Sequence, residues 1–133
     1  MIVLDTLTLL WMDRDDDALG KQSRILIEQA WKSDVVAVSA ISFWECALLE
    51  QRGRIQLPLA VEVWRTDILQ AGIKEIALDG RIALMASALE YFPRDPADRF
   101  IAATALYFDA LLLTAGKSML DWQSDLPRQN ARS

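Results

Sequence analysis

Three short apolar runs, at residues 2–4, 35–38 and 111–113, and a further strand pattern over 73–78 are spread along the chain with longer helical patterns between them. A strand that is apolar at every position is covered on both faces, because a strand with one wet face alternates apolar and polar residues. Helices inserted between such strands return the chain so that each strand runs parallel to the last. The spacing therefore predicts an α/β fold, a three-layer α/β/α arrangement around a mainly parallel sheet of about four to five strands. In such sheets ligands bind beyond the C-terminal ends of the strands. That rule singles out the polar residues that close the apolar runs: Asp5 and Thr6, Ser39, Asp79, and Thr114.

The helical patterns have readable ends. An Asp-rich loop over 13–17 precedes a helix over 18–31, and a helix running from Ser39 through Glu50 stops near Gly53. Pro58 opens a helix over 59–70 that Gly72 ends, and a further helix covers 80–91. Asp95-Pro96 opens a helix reaching Phe108, and a short one lies at 118–122. Glycines and prolines act as scattered punctuation, with no repeat or linker, so residues 1–133 are expected to form a single domain. No apolar run approaches the ~18 residues of a membrane span, and no basic segment precedes the first apolar run as in a signal peptide. A cytoplasmic protein with no membrane partner is expected.

Composition narrows the chemistry. There is no histidine, which removes imidazole bases, Ser-His-Asp and Cys-His nucleophiles and the usual zinc sites. The one cysteine, Cys46, forms no internal disulfide and suits a reducing compartment. Net charge is −5, from 14 basic and 19 acidic residues, so bulk electrostatics would not draw in nucleic acid. A bound divalent cation would supply the missing positive charge.

Three carboxylates stand where packing alone would not put them, or at strand and helix ends facing the expected cleft. Asp5 ends the first apolar run; a helix N-cap explains it equally well. Glu45 has Ile41, Leu48 and Leu49 as helical neighbours, so it sits on or beside a buried face, where an unpaired charge is costly. Its bland alternative is an ion pair with Arg52 or Arg81. Asp98 falls in the first turn of the helix opened by Asp95-Pro96, where it complements the helix dipole and also points toward a strand-end cleft. Asp95 is better explained as that helix's cap. Asp5, Glu45 and Asp98 gathered at one sheet edge would bind Mg2+ or Mn2+, hard cations that prefer oxygen ligands, and such an ion activates water against a phosphodiester.

Ile2-Val3-Leu4-Asp5-Thr6, Val38-Ser39-Ala40-Ile41-Ser42-Phe43-Trp44-Glu45, and Arg94-Asp95-Pro96-Ala97-Asp98-Arg99 followed by Ile101-Ala102-Ala103-Thr104-Ala105 together resemble a PIN-domain ribonuclease, most closely the VapC-type toxins of toxin–antitoxin pairs. Each motif is weak alone; their order and spread over nearly the whole chain make the set specific. The resemblance implies an α/β/α fold, Mg2+- or Mn2+-dependent cleavage of RNA, a homodimer, and a small VapB-like antitoxin lying in the active-site groove. It places Asp5, Glu45 and Asp98 on the family's acidic positions, Thr6 and Ser39 on hydroxyls near the metal, and Thr114 on the threonine that ends the last core strand.

Two positions depart from the pattern. Gly116 stands where the family commonly has a fourth acid, two residues after the threonine, and Leu7 replaces a frequent histidine. Gly116 implies a weaker metal shell; Asp109 and Asp121 carry carboxylates nearby in sequence but not at the matching position. Arg99 and Lys117 are candidate RNA contacts, with surface charge, or for Arg99 an ion pair with Asp95, as the plainer alternative. Phe43 and Trp44 are candidates to line the antitoxin groove. Two other functions compete: a PIN-like scaffold that binds antitoxin without catalysis, and a haloacid-dehalogenase-like phosphatase, which would need an acid where Leu7 stands.

Overall fold

The computed structural model describes residues 1–133. Its elements are β1 (Ile2–Leu4), α1 (Thr6–Arg14), α2 (Lys21–Lys32), β2 (Val36–Ser39), α3 (Ile41–Gln51), α4 (Val61–Gln70), β3 (Lys74–Ile76), α5 (Gly80–Ser87), α6 (Pro96–Tyr107), β4 (Leu111–Thr114), α7 (Lys117–Asp121) and β5 (Arg128–Asn130). The five strands form one sheet in the order β3-β2-β1-β4-β5, and every neighbouring pair is parallel. Registers of Leu4 with Val38 and with Leu113 bring the ends of the three central strands level. Asp5, Ser39 and Thr114 therefore leave the sheet side by side.

Alternation along β1 divides the interior. Ile2 and Leu4 join Leu9, Val38, Phe43 and Trp64 in a core on one face, while Val3 joins Leu112, Ile101, Ala102 and Ala105 on the other. The alanines of α6 let it lie close on β1 and β4, and Ala103 turns instead toward Ile82 and Ala86 of α5. Asp95 caps α6 through the Asp98 N–H at 3.2 Å, with Pro96 at the first position, and Gly53 and Gly72 take positive φ beyond the ends of α3 and α4. No helix is long and apolar enough to cross a membrane.

Several boundaries differ from those expected from sequence. Asp13 belongs to α1 and accepts from the Trp64 indole N–H at 2.9 Å, so the acidic loop is only its second half. There Asp15 adopts a left-handed conformation and Asp16 accepts from the Ala18 N–H, which delays α2 to Lys21. Helix α4 starts at Val61, after Pro58 rather than at it, and β3 and α5 are shorter than expected. Strand β5 carries no apolar signal at all. Arg-Gln-Asn is a half-buried edge, pinned by Arg128, whose guanidinium donates to the carbonyls of Met119, Trp122, Ser124 and Leu126.

The last residues close against α2. Gly20 N–H donates to Ala131 O at 2.8 Å, and the Ser23 N–H, free at the uncapped start of α2, donates to Ser133 O at 3.0 Å. A methyl group on Gly20 would fall 2.2 Å from the Ser133 carbonyl carbon. Its φ of −71° suits any residue, so glycine is required here by close approach and not by torsion. Gly20→Ala is expected to lower the melting temperature by an amount equivalent to the ~1–3 kcal/mol typical of overpacking. An unchanged melting curve would show that residues 131–133 do not pack there.

Candidate active site

Asp5 is both the cap of α1 and a wall of a cleft. Its Oδ1 accepts from the Thr8 N–H at 2.9 Å and its Oδ2 from the Thr114 hydroxyl at 2.5 Å, while its own N–H donates to Leu113 O at 3.1 Å. The same carboxylate therefore caps the helix and lines the cleft. Burial pushes its carboxyl upward, against the hydrogen bonds from Thr114 and Thr8, which favour the anion. Glu45, half-buried on α3, accepts from the Thr6 hydroxyl, whose oxygen also lies 3.0 Å from Ser42 Oγ. Its carboxyl is raised by burial, with the charges of Asp95 and Asp5 adding to that and the Thr6 bond opposing it. Asp98, in the first turn of α6, is pushed up to about 7, chiefly by burial and then by Asp95, Glu45 and Asp5.

These three carboxylates line one cavity of about 220 Å3 at the C-terminal edge of the sheet, together with Thr6, Leu7 and Gly116. The ion pair suggested for Glu45 is absent: Arg81 pairs with Asp79, and none of the molecule's salt bridges includes Asp5, Glu45 or Asp98. The acids face one space without closing on one point, and no three of them stand close enough to share an ion in this arrangement. Three like charges with no cationic side chain among them repel. The donor set is carboxylate and hydroxyl oxygen only, since Cys46 is fully buried in the core. That set suits a hard divalent cation.

The other sequence candidates separate. Thr114 holds Asp5, and its hydroxyl also accepts from the Gly116 N–H at 3.0 Å. Ser39 turns away to accept from the Ile41 N–H at 3.2 Å, and Asp79 caps α5. Asp95 is an exposed cap that acts on the cavity through its charge. Phe43 is core, edge-on to Trp64, so of the two aromatic groove candidates only Trp44 is exposed. Lys117 pairs with Asp121 on its own helix at 3.2 Å. Ser42 is a polar neighbour of the site that strand-end reasoning misses; its place three residues before Glu45 on one helix is the signal that marks it.

Arg99 neither lines the acidic cavity nor pairs with Asp95. Its guanidinium donates to Ala86 O, Leu89 O, Phe92 O and Pro93 O at 2.8–3.3 Å, clamping the loop between α5 and α6. Lysine lacks that planar fork. Arg99→Lys is expected to cost ~1–3 kcal/mol in denaturant unfolding; an unchanged unfolding midpoint would show that this clamp does not hold the loop.

Residues 2–122 match the family model described as the PIN domain. The chain belongs to the PIN-domain family. Over 119 residues, 89% of this PIN domain and 88% of its relative, it is 33% identical to Ribonuclease VapC22 of Mycobacterium tuberculosis. Its fold is also that of the VapBC2 complex from Rickettsia felis bound to a promoter DNA fragment, with a TM-score of 0.70, 18% identity and 98% of each chain covered. A toxin–antitoxin complex from Klebsiella pneumoniae matches with a TM-score of 0.61 and 20% identity over 92% of this chain and 93% of that one. Family membership removes the phosphatase alternative, which needs a second acid where this chain has Leu7, an exposed side chain on the cavity wall.

Proposed function

We propose that this PIN domain is a single-domain, cytoplasmic endoribonuclease toxin, dependent on Mg2+ or Mn2+ and restrained by a VapB-like antitoxin. The observation that carries this reading is the set of three carboxylates on one strand-end cavity with no cationic side chain to balance them. The VapC22 relative supports the ribonuclease and the toxin–antitoxin neighbours support the partner. Asp5, Glu45 and Asp98 would supply the oxygens for the ion and would have to draw together on it, with Thr6 and Thr114 orienting Glu45 and Asp5 by their hydroxyl bonds. A divalent ion there supplies a lowered pKa for water and charge neutralisation at a phosphoryl oxygen. The protein's own part is to aim the carboxylates: buried Asp5 is fixed through both oxygens, Glu45 is held by the Thr6 hydroxyl, and Asp98 would take the ion in place of a proton that burial favours.

Gly116 favours a second reading, a PIN domain that keeps its antitoxin but cuts RNA poorly, because it lines the same cavity with no side chain to offer. One experiment separates the two. Cleavage of labelled RNA is followed with Mg2+, Mn2+ or chelator, beside thermal unfolding over a metal titration. A melting temperature that rises with either ion, by the ~2.7 kcal/mol equivalent expected at 100 times Kd, together with cleavage that chelator stops, supports the nuclease. A metal-dependent rise without cleavage supports the impaired form, and no response of either kind removes the metal site. A homodimer is part of the proposal; sedimentation showing only monomer, alone and with antitoxin, would contradict it.

A further inference from the structure

Helix α3 presents two rows to the cleft side of the molecule. Glu45 and Leu49 face the acidic cavity, and the adjacent row carries Trp44 and Arg52, two turns apart. Both rows open on a second cavity of about 180 Å3, whose far wall is Asp95 and Pro96 at the start of α6. Glu45 and Leu49 belong to both cavities, so the two spaces share a wall. Trp44 is 53% exposed, whereas Trp64 on the same side of the sheet is 2% exposed. Arg52 is the only cationic side chain lining either cavity and takes part in no ion pair.

We propose that Trp44 and Arg52 form a nucleotide subsite beside the acidic cavity, in which one unpaired RNA base stacks on the Trp44 indole and its phosphate meets Arg52. The proposal rests on reading the chain as a ribonuclease and adds where the substrate is held. Every base has a π-face, so an exposed indole grips single-stranded RNA regardless of sequence. Splayed bases stacked on aromatic rings are how proteins hold RNA outside duplexes. The cavity's polarity sets the orientation. Its two acids, Asp95 on the α6 wall and Glu45 on the α3 wall, are unfavourable for a phosphate, which places the phosphate at the Arg52 end and the base between Trp44 and Pro96. An acidic protein needs such a local cation, since its overall field repels the backbone.

The test uses a single-stranded oligonucleotide that the parent protein cuts, with one abasic nucleotide moved along it. The parent is expected to lose ~5- to 150-fold in kcat/KM, the range for one stacked base, at a single abasic position near the cut. Trp44→Ala is expected to lose a similar factor on the intact strand, chiefly in KM, and to become indifferent to that abasic position. Trp44→Phe should recover most of the loss, and Arg52→Gln should lower the salt slope by about 0.7. Unchanged melting temperatures exclude misfolding of these exposed-site variants. The proposal is overturned if Trp44→Ala cuts the intact strand like the parent or still senses the abasic position, results that leave the exposed indole no part in holding RNA. If the parent cuts no RNA the ribonuclease reading fails, and the subsite is then judged by fluorescence anisotropy of the same strands, where absence of the pattern rejects it.

Discussion

Asp98→Asn is expected to make the metal-free protein more stable at pH 8 and to abolish its cleavage of RNA. The Asp98 carboxyl has a reference value of 3.8 and is pushed up to about 7 in the fold. A raised acid is stable as long as it keeps its proton. Its contribution is fully present below 3.8 and is lost as pH climbs through about 7. Each tenfold change in proton affinity corresponds to ~1.4 kcal/mol, and solvent around this half-buried side chain reduces the whole effect to ~1–2 kcal/mol. For a chain of this length that is a rise of roughly 3–6 °C at pH 8, and little or none at pH 4. The amide keeps the shape, and the cap at Asp95 uses the backbone N–H, which the substitution retains. Cleavage should fall by more than the ~10–100-fold that outer-shell changes at metal sites cost. A variant that melts with the parent at both pH values, or that cuts RNA normally, would remove Asp98 from the site.

Gly116→Asp is expected to act in the opposite sense. Gly116 has φ −69° and ψ 118°, open to any residue, and a Cβ there meets only the Thr114 hydroxyl oxygen, at 3.4 Å. A carboxylate at this position enters a cavity already walled by Asp5, Glu45 and Asp98. It should tighten Mn2+ binding on the order of 10-fold, raise the cleavage rate, and lower the metal-free melting temperature through added repulsion. Capping of α7 offsets only a few tenths of a kcal/mol of that cost. Adding Asp98→Asn should erase the gain, because the two groups would serve one cluster and their effects would not add. Equal rates and equal Mn2+ affinity in the parent and Gly116→Asp would place position 116 outside the working site.

What the sequence made legible was what periodicity and end signals encode. Ile2–Leu4 and the Leu112-Leu113 pair are apolar and buried, and Asp95-Pro96 opens α6 as its chemistry requires. Strand β5 was invisible because Arg128 stabilises it through its neighbours' carbonyls rather than through apolar burial. The site divides the same way. Glu45 stood out because it is an acid in a place where packing alone does not ask for one, whereas Asp5 and Asp98 had ordinary cap and dipole explanations and stood out only through their strand-end and helix-start places and the motif resemblance. Arg99 looked like a surface cation because a side chain spent on backbone carbonyls leaves no pattern in sequence. Ser39 has the right position and the wrong direction, which a strand-end rule does not resolve.

The bond between Asp5 and Thr114 spans 109 residues of chain. Strand β1 lies between β2 and β4, so one side of it pairs early in synthesis and the other only when residues 111–114 arrive. A chain still being made, with β4 inside the ribosome, has Asp5 without the hydroxyl that fixes it and lacks the β4 wall of the acidic cavity. For a protein proposed to destroy RNA, the order of assembly is itself a safeguard: no nascent chain carries the finished acidic cavity until residues 111–114 have joined the sheet.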